Sequence, residues 1–188
     1  MIIENIPEFH GEKAYMKVIL ETERLFLREM NMDDFDALYV VLADPHIMQH
    51  YPYNFDEKRV REWIERNMKR YEENGFGLWA VCLKETGEMI GDCGLTLQNI
   101  DGEMLPEIGY HIRSNCQRRG YAKEAAAAVR NWAFKNTEYL AIYIRIASTQ
   151  IYLPSKPLKQ SVCILTKSTQ TKQMKSLMFQ LFTGKIFK

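Results

Sequence analysis

Glu107-Ile108-Gly109-Tyr110-His111-Ile112-Arg113 and, three residues further on, Gln117-Arg118-Arg119-Gly120-Tyr121-Ala122, leading into an alanine-rich run from Lys123 to Lys135, form the stretch that decides the fold. The first segment reads as a strand and the last as a helix. Between them lies a basic turn containing glycine. Glycine lets backbone approach a ligand closely, the first N–H groups of a helix have no partner within it, and the helix dipole favours negative charge at that end. Strand, basic glycine turn and helix therefore make a site for phosphate. Ala122, Ala125, Ala126, Val129 and Ala133 fall on one side of the helix, and such small residues let it lie close to a sheet.

Outward from this stretch, Arg24 to Arg28 alternates as a strand does. Asn31-Met32-Asp33-Asp34 opens a helix with a capping residue and acids in its first turn, Phe35, Leu38, Val41 and Leu42 give it an apolar face, and Asp44-Pro45 ends it. A second helix is predicted from Asp56 to Glu73, with Val60, Trp63, Ile64 and Tyr71 at helical spacing and Gly75 after its end. Strands are predicted from Gly77 to Leu83, Met89 to Leu97 and Met104 to Arg113, joined by turns at Lys84-Glu85-Thr86-Gly87 and Asn99-Ile100-Asp101-Gly102.

The turn Gln117-Arg118-Arg119-Gly120-Tyr121-Ala122 resembles the acyl-CoA-binding motif of the GNAT superfamily of N-acetyltransferases. Three further segments carry the resemblance in the right order: Thr22-Glu23-Arg24-Leu25-Phe26-Leu27-Arg28, Ile90-Gly91-Asp92-Cys93-Gly94-Leu95 and Glu107-Ile108-Gly109-Tyr110. They are similar to the branch that includes the ribosomal-protein N-acetyltransferases. The resemblance spans about residues 16–143 and implies an α+β GNAT fold, a mixed, mostly antiparallel sheet flanked by helices. It also implies acetyl-CoA as co-substrate, no metal, and an amine as acceptor, either a protein N-terminus or a small molecule. By the same resemblance, backbone N–H groups across Gln117, Arg118, Arg119, Gly120, Tyr121 and Ala122 cradle the CoA pyrophosphate, with charge added by Arg118 and Arg119. Ile112 and Arg113 pair through their backbone with the pantetheine amides, and an N–H there polarises the acetyl carbonyl.

Acetyl transfer to an amine also needs a group that takes a proton. Glu107, at the start of the fourth strand of this pattern, is the expected base, acting directly or through water; a solvated surface glutamate is the other reading. His111 falls on the same strand face by period-two alternation, as a second base candidate or as a hydrogen-bonded packing histidine. His46 and His50 have HxxxH spacing, but Pro45 breaks the segment just before them and no glutamate sits between them, which argues against a metal site. Tyr51, Pro52 and Tyr53 either line the acceptor pocket or pack.

A net charge of +1 with 26% charged residues gives no reason to expect nucleic acid as a partner. No apolar run approaches the roughly 20 residues of a membrane helix. Cys82, Cys93, Cys116 and Cys163 show no CxxC spacing and read as reduced thiols of a cytoplasmic protein.

The two ends fit the family less well. Met1 to Tyr15 matches nothing in it, and Gly11-Glu12 can be encoded as a ribosome-binding sequence, so Met16 is expected to be the natural start and 1–15 an extension. Ile144 to Lys188 has Gly184 as its one glycine, no acidic residue and no clear period. Read in a shifted frame, its codons permit a sequence similar to the family's missing C-terminal segment; Met174-Lys175 then forces Glu and Met178-Phe179 forces Val. The expectation is a core at 16–143 and an out-of-frame tail at 144–188 that is poorly ordered or pairs crudely. The sheet edge left exposed would favour self-association, a homodimer among the outcomes. In that state a non-catalytic CoA-binding or regulatory module is the alternative to an active enzyme. No tyrosine is assigned as general acid, although Tyr152 is nearest in chain order.

Overall fold

A computed structural model describes residues 17–49, 51–100, 102–139, 141–146, 149–154 and 163–166. Met16 and everything before it, His50, Asp101 and the segment from 167 to 188 lie outside the described residues, and with them the readings of the N-terminal extension, the HxxxH pair and the last part of the tail.

Strands β1 (Val18–Glu21) and β2 (Leu25–Arg28) form a first hairpin. A 3-10 turn, Met32–Asp34, leads into α1 (Phe35–Leu42). The Asn31 side chain accepts from the Asp33 amide while Asp34 accepts from the Asn31 amide, a reciprocal cap. Asp34 also receives both Arg28 guanidinium nitrogens, at 2.8 and 2.6 Å, which fastens this entry to β2. α2 (Glu57–Asn74) starts at Asp56, whose carboxylate accepts from the Arg59 amide, and stops at Gly75 in the left-handed conformation (φ 74°).

β3 (Leu78–Leu83), β4 (Met89–Ile100) and β5 (Glu103–Ile112) form an antiparallel meander. A second 3-10 turn, Ser114–Cys116, precedes α3 (Tyr121–Asn136), which returns the chain to β6 (Ala141–Ile146), β7 (Thr149–Pro154) and β8 (Cys163–Thr166). The strands lie in chain order in one sheet. Among the described residues only β5 and β6 run parallel, a pairing that needs the crossover α3 supplies.

Each face of the sheet has its own core. On one side α3 lays Ala125, Ala126, Val129 and Ala133 on Leu27, Val81, Leu95, Ile108 and Ile142. On the other, Leu38, Val41 and Leu42 of α1 and Val60, Trp63 and Ile64 of α2 meet Leu78, Ala80 and Cys82. Burial pushes the Cys82 thiol up to about 11 and that of Cys93 well above its ordinary value, so both are protonated packing groups.

The predicted order of elements is observed, with ends shifted by one to three residues, and β1 is added to it. Crude pairing does not describe residues 149–154 and 163–166. β7 pairs with β6 from Thr149↔Ile146 to Pro154↔Ala141, and β8 continues the ladder from Thr166↔Thr149 to Cys163↔Tyr152. Ile151, Tyr152, Cys163, Ile164 and Leu165 are of types that suit a pleated, half-buried surface, and that local preference acts in whatever context they occur.

Candidate active site

Because side chains alternate along a strand, β4 and β5 send opposite sets of residues to the two sides of the sheet. Cys93, Leu95, Ile108 and Ile112 are buried toward α3. The other set comes together on the α1–α2 side as cross-strand neighbours: Asp92 opposite His111, Gly94 opposite Gly109, Thr96 opposite Glu107. Asp92, Thr96 and Glu107 are buried. Glu107, at 4% exposure, is therefore not the solvated surface glutamate of the alternative reading. Gly94 has no room for a side chain, since a Cβ there would lie 1.9 Å from the Gly77 carbonyl oxygen.

At the far end of this face, His111 sits in a cluster whose full extent the sequence did not show. Its Nδ1 lies 2.7 Å from Asp92 Oδ1, and its Nε2 3.2 Å from the Tyr51 hydroxyl. The second Asp92 oxygen accepts from Trp63 Nε1 at 2.9 Å. The Tyr51 and Trp63 rings stand 5.8 and 5.5 Å from the imidazole, and Phe55 packs edge-on against both. Tyr53 extends the aromatic group toward solvent. Sequence alternation placed His111 on this face. Asp92 and Trp63 were missed, because a strand aspartate and a helix tryptophan carry no signal of their pairing until β4 and α2 are brought together.

β5 pairs with β6 only at Glu107↔Tyr143 and Ile108↔Ile144. Past Ile108 its β6 side carries no ladder among the described residues. The Arg113 amide donates to the Ile90 carbonyl on the β4 side at 2.9 Å, so by alternation the Ile112 amide faces the β6 side. The Arg113 guanidinium is held by Glu88 at 2.7 Å, with Nε on Asn115; Glu88 raises the affinity of that guanidinium for its proton.

The chain then turns through Ser114–Cys116, and Gln117 Nε2 donates back to the Ile112 carbonyl at 2.9 Å. Arg118 is left-handed (φ 60°), as is Gly120 (φ 86°), from which α3 starts without a side-chain cap. The first amides of α3, at Tyr121 and Ala122, are thus aimed outward beside the exposed Arg118 and Arg119. Arg24, immediately before β2, braces the turn. Its Nη1 donates to the Arg119 carbonyl, its Nε to Glu124 Oε2, and its guanidinium stacks on the Tyr121 ring at 4.5 Å. Glu124 also accepts from the Thr22 hydroxyl and the Arg24 amide. On the other side, the Ser114 hydroxyl donates to Asp44 at the end of α1, holding that carboxyl below its usual range. The turn is thus tied to the start of β2 and to the end of α1.

Comparison with known proteins agrees with this arrangement. Residues 24–151 match the acetyltransferase (GNAT) domain. An uncharacterized protein of Bacillus subtilis, YkkB, is 35% identical over 124 residues, which are 65% of this chain and 72% of that protein. The crystal structure of an acetyltransferase from Agrobacterium tumefaciens is similar at 30% identity with a TM-score of 0.59, over 71% of this chain and 77% of that one. RimL, a ribosomal L7/L12 alpha-N-protein acetyltransferase solved in complex with coenzyme A, shares the fold at 17% identity and a TM-score of 0.57, over 72% of this chain and 75% of its own. With more than half of its length matched, from the brace at Arg24 into β7, the chain belongs to the acetyltransferase (GNAT) family, whose members transfer an acetyl group from acetyl-CoA.

Proposed function

We propose that this protein transfers the acetyl group of acetyl-CoA to a primary amine, a protein N-terminus or a small molecule, by direct attack of the amine on the thioester. The observation that carries this reading is the end of β5, which loses its β6 partner past Ile108 and runs straight into the left-handed turn and uncapped start of α3. Pyrophosphate is held by the amides from Gln117 to Ala122, with Arg118 and Arg119 adding charge. The pantetheine arm takes the place of the missing strand and bonds to the Ile112 amide. Arg113 contributes through the geometry it fixes, since its own N–H is engaged by Ile90. An amide at this strand end polarises the acetyl carbonyl. Glu107, buried on the acceptor side, takes a proton from the entering ammonium through water.

RimL acts on ribosomal L7/L12, which makes a protein N-terminus one acceptor to test. The aromatic residues Tyr51 and Tyr53 fit the wall of an acceptor pocket. We place the protein in the cytoplasm: Cys82, Cys93 and Cys116 are buried free thiols, and no helix among the described residues is long and apolar enough to cross a membrane.

Thermal unfolding with and without acetyl-CoA tests the reading. A ligand at 100 times its Kd stabilises by about 2.7 kcal/mol. For Gly120→Val a loss of affinity of about tenfold or more reduces that shift to about half or less. Release of CoA thiol on adding an amine separates an enzyme from a CoA-binding module. Absence of any shift in the wild type would overturn the reading.

A further inference from the structure

Glu107 and His111 lie on one strand face, four residues or about 13 Å apart, so they cannot serve the same atom directly. His111 is one residue before the strand end at which the acetyl carbonyl is proposed to be held. There it stands between an anion and a hydroxyl: Asp92, fully buried, on Nδ1, and Tyr51, half-buried, on Nε2. A carboxylate can only accept, so Nδ1 carries the hydrogen, and in the neutral ring Nε2 is the acceptor of the Tyr51 proton. The second Asp92 oxygen is fixed by Trp63, which holds carboxylate and ring in one orientation. Packing alone does not call for a buried carboxylate aimed at a ring nitrogen whose other nitrogen meets a hydroxyl.

We propose that Tyr51, His111 and Asp92 form a proton relay, in which Tyr51 is the catalytic residue touching the reacting atoms and His111 and Asp92 act through it; this rests on the acetyltransferase reading above. Attack of the neutral amine on the thioester carbonyl forms the C–N bond and places positive charge on nitrogen and negative charge on oxygen. The Tyr51 oxygen takes one N–H proton as its own proton passes to His111 Nε2, and Asp92 stabilises the imidazolium. When the adduct collapses, the oxygen pair re-forms C=O, the C–S bond breaks, and the sulfur leaves as thiolate. The imidazolium proton returns through Tyr51 to that sulfur. The proton taken earlier by Glu107 is released to solvent, so the products are amide, CoA thiol and one proton. The relay thereby supplies the acid that no tyrosine of the tail could be assigned.

The test uses the full chain with benzylamine, an ammonium ion at neutral pH, and aniline, which is uncharged and yields a far more acidic adduct nitrogen. Expected for His111→Gln and Tyr51→Phe is a fall in kcat with benzylamine of about tenfold or more. KM and the acetyl-CoA Kd should stay within about threefold, and the loss with aniline should be smaller. Asp92→Asn should behave alike, because its amide turns a donor toward either the imidazole or Trp63. A kcat within twofold of wild type in His111→Gln, or equal losses with both amines together with weaker acetyl-CoA binding, would overturn the relay. Nitrogen NMR of the imidazole decides independently of turnover: a neutral ring with hydrogen on Nδ1 supports it, and hydrogen on Nε2 excludes it. A wild-type chain that binds no acetyl-CoA would instead remove the acetyltransferase reading itself.

Discussion

On the α3 side of the β4–β5 ladder stand Cys93, Leu95, Ile108 and Ile112, all buried among the alanines of that helix. On the α1–α2 side of the same two strands stand Asp92, Thr96, Glu107 and His111. The two sets interleave residue by residue, yet one face is an apolar seal and the other carries groups that bond and titrate. A period of two allows this with no extra chain: a strand can anchor itself through one set of residues and present chemistry through the other. The turn from Gln117 to Ala122 belongs to neither face. It sits at the end of the ladder, where β5 has lost one neighbour, and a ligand proposed to bind there would meet both faces.

This division can be broken from either side. The largest effect is expected at Glu107. Glu107→Gln keeps the shape but cannot take a proton, and kcat should fall about 100-fold or more with the acetyl-CoA Kd unchanged. Parallel loss of affinity, read by calorimetry, would make the carboxylate a support of the fold instead. Next, from the sealed face, Ile108→Ala is expected to cost about 3 kcal/mol in denaturant unfolding, since a fully buried side chain is removed from a close-packed layer. A cost below 1 kcal/mol would mean that α3 settles onto the gap and the seal is soft. At the end of the ladder, Gly120→Val combines a left-handed φ of 86° with a Cβ 3.3 Å from Arg24 Nη2. Acetyl-CoA affinity should fall about tenfold or more, while backbone strain costs stability on the order of 1–2 kcal/mol.

The smallest effect concerns pH. Burial alone would push the Glu124 carboxyl up, but bonds from the Thr22 hydroxyl and the Arg24 amide and guanidinium outweigh it and hold the group below its ordinary value. A carboxyl lowered in the folded state contributes stability that is present above its unfolded pKa, about 4.3. That stability is lost as pH falls through the folded value. Arg24 is largely exposed, so the contribution is small. The difference in stability between wild type and Glu124→Gln should therefore shrink below about pH 4; a constant difference would show that the brace acts through shape rather than charge.

Much of this molecule is legible locally. Asn31 declares a helix start through its capping chemistry, Gly75 a helix end, and Gly120 a turn between strand and helix, because each relation spans only a few residues. Alternation along residues 107 to 112 placed Glu107 and His111 on one face. What local pattern could not supply is which residues lie across from it. Nor could it foresee the regular pairing of residues 149–154 and 163–166, since the composition of the whole tail masked two short runs that suit a strand.

The sequence by itself determined the element order, the strand–turn–helix geometry and the membership of each strand face, because these follow from periodicities and caps that act between near neighbours. Tertiary structure alone decided that Asp92 meets His111, that Trp63 comes from α2 to hold the other carboxylate oxygen, that Tyr51 closes over the ring, and that Arg24 reaches across to the turn before α3. These contacts join residues 19 to 95 positions apart in the chain. Their partners are chosen by how the sheet twists and which helix packs on it, and no local preference encodes that choice.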